Sequence, residues 1–307
     1  MVDGFFSFFS GFYAVLASEY ALHMCVLLGI YLILAQSFNL VFGVGGLFNL
    51  AHVATYAIGA YTTALLSTEL GVGVWQCLLA SALLSGLLAL LIGAISLRLA
   101  TDYFAIGSLA FSAVVSALLV NWRSLTRGVL GIPGIPRPEW GGVDFNRVEN
   151  FLYFTMVIAA VCMMCMWLLF RSSFARSLKA SAQSDVAAQS LGRDVARLRI
   201  WAFFLSSAFA GIAGALFAYY LNYIDPSSFS LSEMVLVLTI VVVGRPGSYW
   251  GVAASTFLLV VLLPEGLRFL PLEPSVLGPL RQFLHALLLF VVVYLNRARL
   301  FPVERMI

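Results

Sequence analysis

Tyr20-Ala-Leu-His-Met-Cys-Val-Leu-Leu-Gly-Ile-Tyr-Leu-Ile-Leu-Ala-Gln-Ser-Phe-Asn-Leu-Val-Phe42 carries no Asp, Glu, Lys or Arg, and Gly43-Val-Gly-Gly46 follows it at once. At 1.5 Å per residue such a run exceeds the ~30 Å thickness of a bilayer's hydrocarbon core. Eight further apolar runs succeed it: Ala51–Ser67, Trp75–Leu97, Tyr103–Asn121, Phe151–Phe170, Ile200–Leu221, Leu231–Val243, Tyr249–Leu270 and Leu280–Tyr294. The composition agrees. The chain has 307 residues, 62% hydrophobic and 10% charged, and a mean hydropathy of +1.00. Soluble domains are about 45–50% apolar and about 25% charged. The bilayer is therefore the solvent, and the fold expected is an all-α polytopic membrane protein. It has about nine apolar segments, with eight to ten allowed and some of them broken or re-entrant.

Most of these runs are long enough to cross as helices. Leu231–Val243 is the exception, since its 13 residues reach only roughly 20 Å. It is read either as a crossing completed by its flanks or as a half-helix. If every run crosses and the segment 171–199 is cytoplasmic, that side holds 11 of the 17 basic residues, and 10 of the 14 acidic ones lie opposite. Positive residues collect inside. The expected orientation is N-terminus out and C-terminus cytoplasmic. The first 18 residues are apolar but lack the basic start of a cleavable signal, and they are expected to lie in the interface.

Several function classes fall away. A net charge of +3 without a basic run does not suit nucleic acid. Lys179 is the one lysine, flanked by Leu178 and Ala180, so a P-loop with its Gly-Lys-Ser/Thr is missing. Neither H-E-x-x-H nor G-x-S-x-G occurs. Cys25, Cys77, Cys162 and Cys165 all lie in apolar runs. The Cys162-x-x-Cys165 pair has no further ligand nearby, so no metal site is expected. Ion-driven carriers place paired acids or proton relays within their helices. Here Asp102 and Glu233 fall at run ends, where water reaches them, and His23, His52 and His285 stand apart as packing or hydrogen-bonding histidines. The chain reads as a pathway without its own source of energy.

Two glycine-rich interruptions stand out, Gly43-Val-Gly-Gly46 and Gly244-Arg-Pro-Gly247. They are read as turns at the membrane face or as paired breaks beside a pathway. Gln36, Asn39, Asn49 and His52 cluster around the first. In the run Ile200–Leu221 the small residues Ser207, Gly211 and Ala215, with Ala210, Gly214 and Ala218 beside them, form a close-packing seam, within this chain or against another. Two loops are long. The segment 122–150 contains Gly131-Ile-Pro-Gly-Ile-Pro136 and is expected to be a stiff extracytoplasmic connector. The segment 171–199 has no proline. Within it Ser184 is placed to N-cap a short helix, Asp185 suits its first turn, and Gly192 suits a left-handed exit.

Longer motifs then carry a resemblance. Ser37-Phe-Asn-Leu-Val-Phe-Gly-Val-Gly-Gly-Leu-Phe-Asn-Leu-Ala-His52 with Ile58-Gly-Ala-Tyr61, Leu125-Thr-Arg-Gly128 with Gly131-Ile-Pro-Gly-Ile-Pro136, Asp185-Val-Ala-Ala-Gln-Ser-Leu-Gly192, Ser206-Ser-Ala-Phe-Ala-Gly-Ile-Ala-Gly-Ala-Leu216 and Gly247-Ser-Tyr-Trp-Gly251 resemble the membrane permeases of branched-chain amino acid ABC importers, and within that family their Liv-type M subunits. Members usually carry Glu where this chain has Asp185. They often have Gly-Gly where it has Arg245-Pro246, and Gly where it has Ala51.

The resemblance implies a single transmembrane permease domain over 1–307 in the bacterial inner membrane, working by alternating access. It implies a second homologous permease subunit, two cytoplasmic ABC ATPases that carry the ATP and Mg, and an extracytoplasmic substrate-binding protein. No cofactor is expected in this chain, and no catalysis. The ATPase-coupling residues implied are Ser184, Asp185, Val186, Ala187, Ala188, Leu191 and Gly192. Substrate-path candidates are Asn39, Gly43, Gly45, Gly46, Asn49 and His52. The expected cargo is a branched-chain or related amino acid. A passive channel for a small neutral solute such as urea or an amide is the alternative.

Overall fold

The computed structural model describes residues 19–96, 101–140, 143–268 and 274–295. The lead-in over 1–18 and the orientation-setting Arg98, Arg297, Arg299 and Arg305 lie outside the described residues. Within the described residues every expected apolar run is helical. Helix α1 spans Glu19–Asn39 and widens into a π-turn, Leu40–Val44. Helices α2 (His52–Glu69), α3 (Val74–Ser96), α4 (Thr101–Asn121) and the short α5 (Arg123–Thr126) follow. After three two-residue strands come α6 (Val148–Arg171), α7 (Ser173–Gln183), α8 (Asp185–Ser190) and α9 (Val195–Leu221). A 3-10 turn, Pro226–Phe229, leads into α10 (Leu231–Val243). Helix α11 (Tyr249–Phe257) passes through a π-turn at Leu258–Leu262 into α12 (Leu263–Arg268), and α13 spans Pro274–Leu295.

Seven of these helical stretches are long and apolar enough to cross a membrane. Two of the nine expected spans differ. Helix α10 is short, as its sequence requires. Helix α2 is long enough, but His52, Thr55, Thr62, Thr63 and Ser67 lower its hydropathy, and all five are buried. A helix whose neighbours are other helices rather than lipid can afford those polar atoms if each finds a partner. The main core therefore runs along α1, α2, α9 and α10, with α6 packed on α1.

The small-residue seam of α9 closes within this chain. Gly211 lies against Gly59 of α2 on one side and Ser81 of α3 on the other, and Gly214 lies against the Tyr56 carbonyl. A Cβ at any of these would overlap backbone. Close approach brings hydroxyls within reach of foreign carbonyls. Ser81 Oγ donates to Gly59 O at 2.9 Å, and Ser85 Oγ donates to Thr55 O at 2.8 Å.

One end of the bundle is fastened by the long loop 122–150. Strand β1 (Ile132–Pro133) pairs antiparallel with β4 (Tyr223–Ile224), just past α9, and β2 (Glu139–Trp140) pairs with β3 (Val143–Asp144). Asn222 ends α9 in the left-handed region at φ 56°. Its Nδ2 donates to Ile135 O at 2.7 Å, and its Oδ1 accepts from Arg137 Nε at 3.2 Å. The loop is thus a docked cap rather than a mere spacer.

Filling the seam tests its energetic weight. Gly59→Val places a branched side chain where only backbone fits, and overpacking of this kind costs about 1–3 kcal/mol or more. The expected outcome is a lower melting temperature and loss of monodisperse protein in detergent, with Gly266→Val, where a Cβ meets open space, as control.

Candidate functional site

The two glycine-rich interruptions meet. Gly43 lies directly against the backbone of Pro246 and Gly247, so no side chain fits there. Asn39, one turn earlier, joins the two. Its Oδ1 accepts the Gly247 N–H at 2.8 Å, and its Nδ2 donates to Ser248 O at 3.3 Å and to Gln36 Oε1 at 3.2 Å. Gln36 Nε2 in turn donates to Tyr249 O at 2.6 Å. The Asn39 amide therefore takes up the Gly247 N–H where the chain turns from α10 into α11, while Ser248 O also accepts the Val252 N–H of α11. A peptide group left without a partner costs about 1–3 kcal/mol where water cannot reach it.

On its other side this hinge touches α7. Gly45 faces Leu178, and Gly46, at φ +66°, faces Ala182. Leu40, Val41, Val44 and Leu47 share a second, smaller core with Ala175 and Leu178 of α7 and Phe203 of α9. Asn49 and His52 serve structure as well. Asn49 Oδ1 accepts the Ala51 N–H at 3.0 Å. His52 Nε2 lies 2.9 Å from Ser37 Oγ, whose backbone carbonyl accepts from Ser206 Oγ of α9 at 2.6 Å. All of Asn39, Asn49 and His52 are buried.

The segment 171–199 folds as its capping residues dictate. Ser172 Oγ accepts from Ala175 N at the start of α7, Ser184 Oγ accepts from Ala187 N at 3.2 Å at the start of α8, and Gly192 exits at φ +74°. Asp185 forms an ion pair with Arg199 of α9, Oδ1 to Nη2 at 2.7 Å. The two faces of α8 differ in exposure. Ala188 is only 2% exposed and packs inward, whereas Val186 and Leu191 are each 78% exposed. The outward apolar surface is therefore Val186 and Leu191. Helix α8 has too few residues to present a full amphipathic stripe, and it is held on the bundle by buried Ala188 and the Asp185–Arg199 ion pair.

Two further polar groups were not legible as a site. Glu233, in the first turn of α10, is not left to water. Its carboxylate accepts the hydroxyl of Tyr31 from the middle of α1. His23 lies 2.5 Å from the Tyr220 hydroxyl of α9. Only the apolar surroundings of Tyr31 in sequence hinted that its hydroxyl needs a partner. On α6, Cys162 is buried and Cys165 exposed, and among the described residues no group of three metal-ligating side chains gathers.

Arg245 stands at φ 65°, a left-handed conformation that costs a non-glycine residue about 1–2 kcal/mol. It also precedes Pro246, which disfavours helical backbone before it. Glycine is the natural residue at such a position. Arg245→Gly is expected to stabilise the purified chain by about 0.5–1 kcal/mol, the relieved strain less the added freedom of the unfolded state. Asn39→Ala is expected to destabilise it by about 1–3 kcal/mol, because the fully buried Asn39 side chain gives up three hydrogen bonds, one of them from the Gly247 N–H. Melting temperatures in one detergent check both.

Comparison with known proteins follows the same lines. A family model described as "Branched-chain amino acid transport system / permease component" matches residues 20–293. The chain is 36% identical over 255 residues to the high-affinity branched-chain amino acid transport system permease protein LivM of Escherichia coli K12, covering 76% of this chain and 60% of that relative. It thus spans about three-fifths of that protein's length. It is 26% identical over 285 residues to a probable branched-chain amino acid transport permease LivM of Methanocaldococcus jannaschii, covering 88% and 80%. It is 23% identical over 246 residues to the permease protein LivH of Salmonella typhimurium, covering 75% and 80%. No solved structure matches it. With a family match across nearly all of its spans, this multi-pass membrane chain belongs to the permease-component family of branched-chain amino acid transport systems.

Proposed function

We propose that the chain is the permease subunit of an ATP-driven ABC importer for branched-chain or related amino acids. It pairs with a second, homologous permease, and its similarity to both LivM and LivH relatives supports such a pair. Two cytoplasmic ATPases and an extracytoplasmic binding protein complete the assembly, with ATP and Mg bound by the ATPases. The orientation is N-terminus out and C-terminus cytoplasmic, with 171–199 inside and 122–150 outside.

The observation that carries this reading is a continuous packed route from α7 and α8 to the helix breaks. Helix α8 presents Val186 and Leu191 outward, a surface suited to a groove on an ATPase. Ser184, Ala187 and Gly192 set its ends, and Ala188 seats it on the bundle. Behind it, Asp185 pulls on Arg199 of α9. Beside it, Leu178 and Ala182 of α7 bear on Gly45 and Gly46, and Gly43 bears on Gly247. Interfaces this tightly packed pass on displacement rather than absorb it. In this reading Asn39, Gly43, Gly45, Gly46, Asn49 and His52 form the hinge of the pathway rather than its solute contacts. A passive channel has no use for such a route.

The test is reconstitution of the chain with its co-expressed partners in liposomes. Import of leucine that requires ATP and loaded binding protein is expected, and solute flux through the chain alone would overturn the reading. Val186→Glu and Leu191→Glu place charge on the outward face. They are expected to leave folding unchanged and to lower ATP-coupled uptake at least about tenfold, as loss of a buried interface anchor does. Ala188→Glu is expected to lower the melting temperature itself, because its side chain enters the bundle.

A further inference from the structure

Phe229, the last residue of the 3-10 turn before α10, fills an aromatic box. Its ring centroid lies 5.3 Å from Tyr56, 6.0 Å from Tyr61 and 6.0 Å from Phe217. The box is apolar except for two hydroxyls, those of Tyr56 and Tyr61. Both side chains are almost wholly buried, at 1% and 3% exposure, and both hydroxyl oxygens lack a hydrogen-bond partner. Buried hydroxyls without partners are rare in finished cores, and each calls for a partner such as a water, an ion or a ligand. At the edge of the box stands Glu233, held by Tyr31 and within electrostatic reach of Tyr56. Arg281 of α13 is within electrostatic reach of Tyr31, and its buried Nε also lacks a partner.

The turn that carries Phe229 is built to move as a unit. Asp225 caps it, accepting from Ser228 N at 3.2 Å and from the hydroxyls of Ser227 and Ser228, all within the turn itself. Behind the turn, toward Ser116, Val120 and Val129, lies a cavity of about 260 Å³. The turn has room to withdraw and carries its own hydrogen bonds with it.

We propose that this box is a transit site for a zwitterionic α-amino acid with an apolar side chain, and that Phe229 is the plug that occupies it when solute is absent. The inference rests on the importer reading above and adds where the solute is held. Glu233 and the aromatic faces take the ammonium group, which aromatic rings attract through their quadrupoles. Arg281 takes the carboxylate. The apolar side chain replaces Phe229 among Tyr56, Tyr61 and Phe217, and the two free hydroxyls gain partners. A neutral solute such as urea leaves both charges unanswered, which is costly in a buried site.

The experiment reads the plug directly. Phe229→Cys is made in a chain whose four native cysteines are replaced by serine or alanine, and it is purified with its partners. Its reaction with a water-soluble maleimide is timed with leucine, with 4-methylpentanoate, with isoamylamine and with urea, each at millimolar concentration. Leucine is expected to speed labelling at least about threefold, as a solute that favours the withdrawn state must, while the other three leave it unchanged. Adding Glu233→Gln, which keeps an acceptor for Tyr31 but removes the charge, is expected to abolish the leucine effect. Labelling indifferent to leucine would overturn the proposal, whatever uptake shows. So would a Glu233→Gln chain in which leucine still speeds labelling to the same extent. ATP-driven leucine uptake by the wild-type assembly, measured on the same preparation, reports separately on the importer reading.

Discussion

A peptide N–H at the turn between two packed helices needs a partner once its own helix has ended, and Asn39 supplies one. Its amide reaches from α1 to Gly247 and Ser248, so the chain can break between α10 and α11 without orphaning its backbone. Everything nearby follows. Gly43 must be glycine because the bond draws the two backbones into direct contact. The π-turn at Leu40–Val44 widens α1 just where that contact is made. Gly45 and Gly46 then turn the chain back under α7, so that α2 starts beside Leu34 and Ser37 rather than at the end of α1.

Much of this architecture could be read from the residues. Leu231–Val243 is helical over the same bounds as its apolar run, because Ser230 and Gly244 delimit it unambiguously. Ser184 caps α8 because a side-chain oxygen in that place has a single short reach to make. Both readings are local. What escaped the sequence is non-local. Two Gly-rich breaks about two hundred positions apart could be seen as similar, but nothing in either says that they touch. Ala188 and Val186 are both small and apolar, and only the packing of α8 on the bundle shows which of them faces inward. Glu233 sits at the end of an apolar run, a position normally wet, and its partner Tyr31 comes from the other half of the chain.

Helix α2 shows why hydropathy alone undercounts the layers of such a protein. Its polar residues lower its score as a membrane span, yet it lies at the centre of the bundle. Thr55 and Gly59 offer carbonyls to Ser85 and Ser81, and Thr63 shares a bond with Ser81. Polar atoms here are helix-to-helix fasteners, which work because lipid offers them no competitor. The same rule applies to the histidines. His23 and His52 each bond a hydroxyl of another part of the bundle, Tyr220 and Ser37.

Helix α10 links the hinge and the aromatic box, and its shortness is what fits it to the task. It begins two residues after Phe229 and ends just before Gly244, so its 13 residues form a single stiff rod of roughly 20 Å between the two. Helices of this length do not bend unless a proline, a glycine or a π-turn interrupts them, and Leu231–Val243 contains no proline or glycine. In the proposed importer, a push delivered by α7 to Gly45 and Gly46 would reach Gly247 through Gly43, and the rod would carry it to the turn at its other end. A longer helix reaching across lipid on its own would have lost that turn to the surface. Held within the bundle by α1, α2 and α13, α10 keeps its first turn, and with it Glu233 and Phe229, beside Tyr31 and Tyr56.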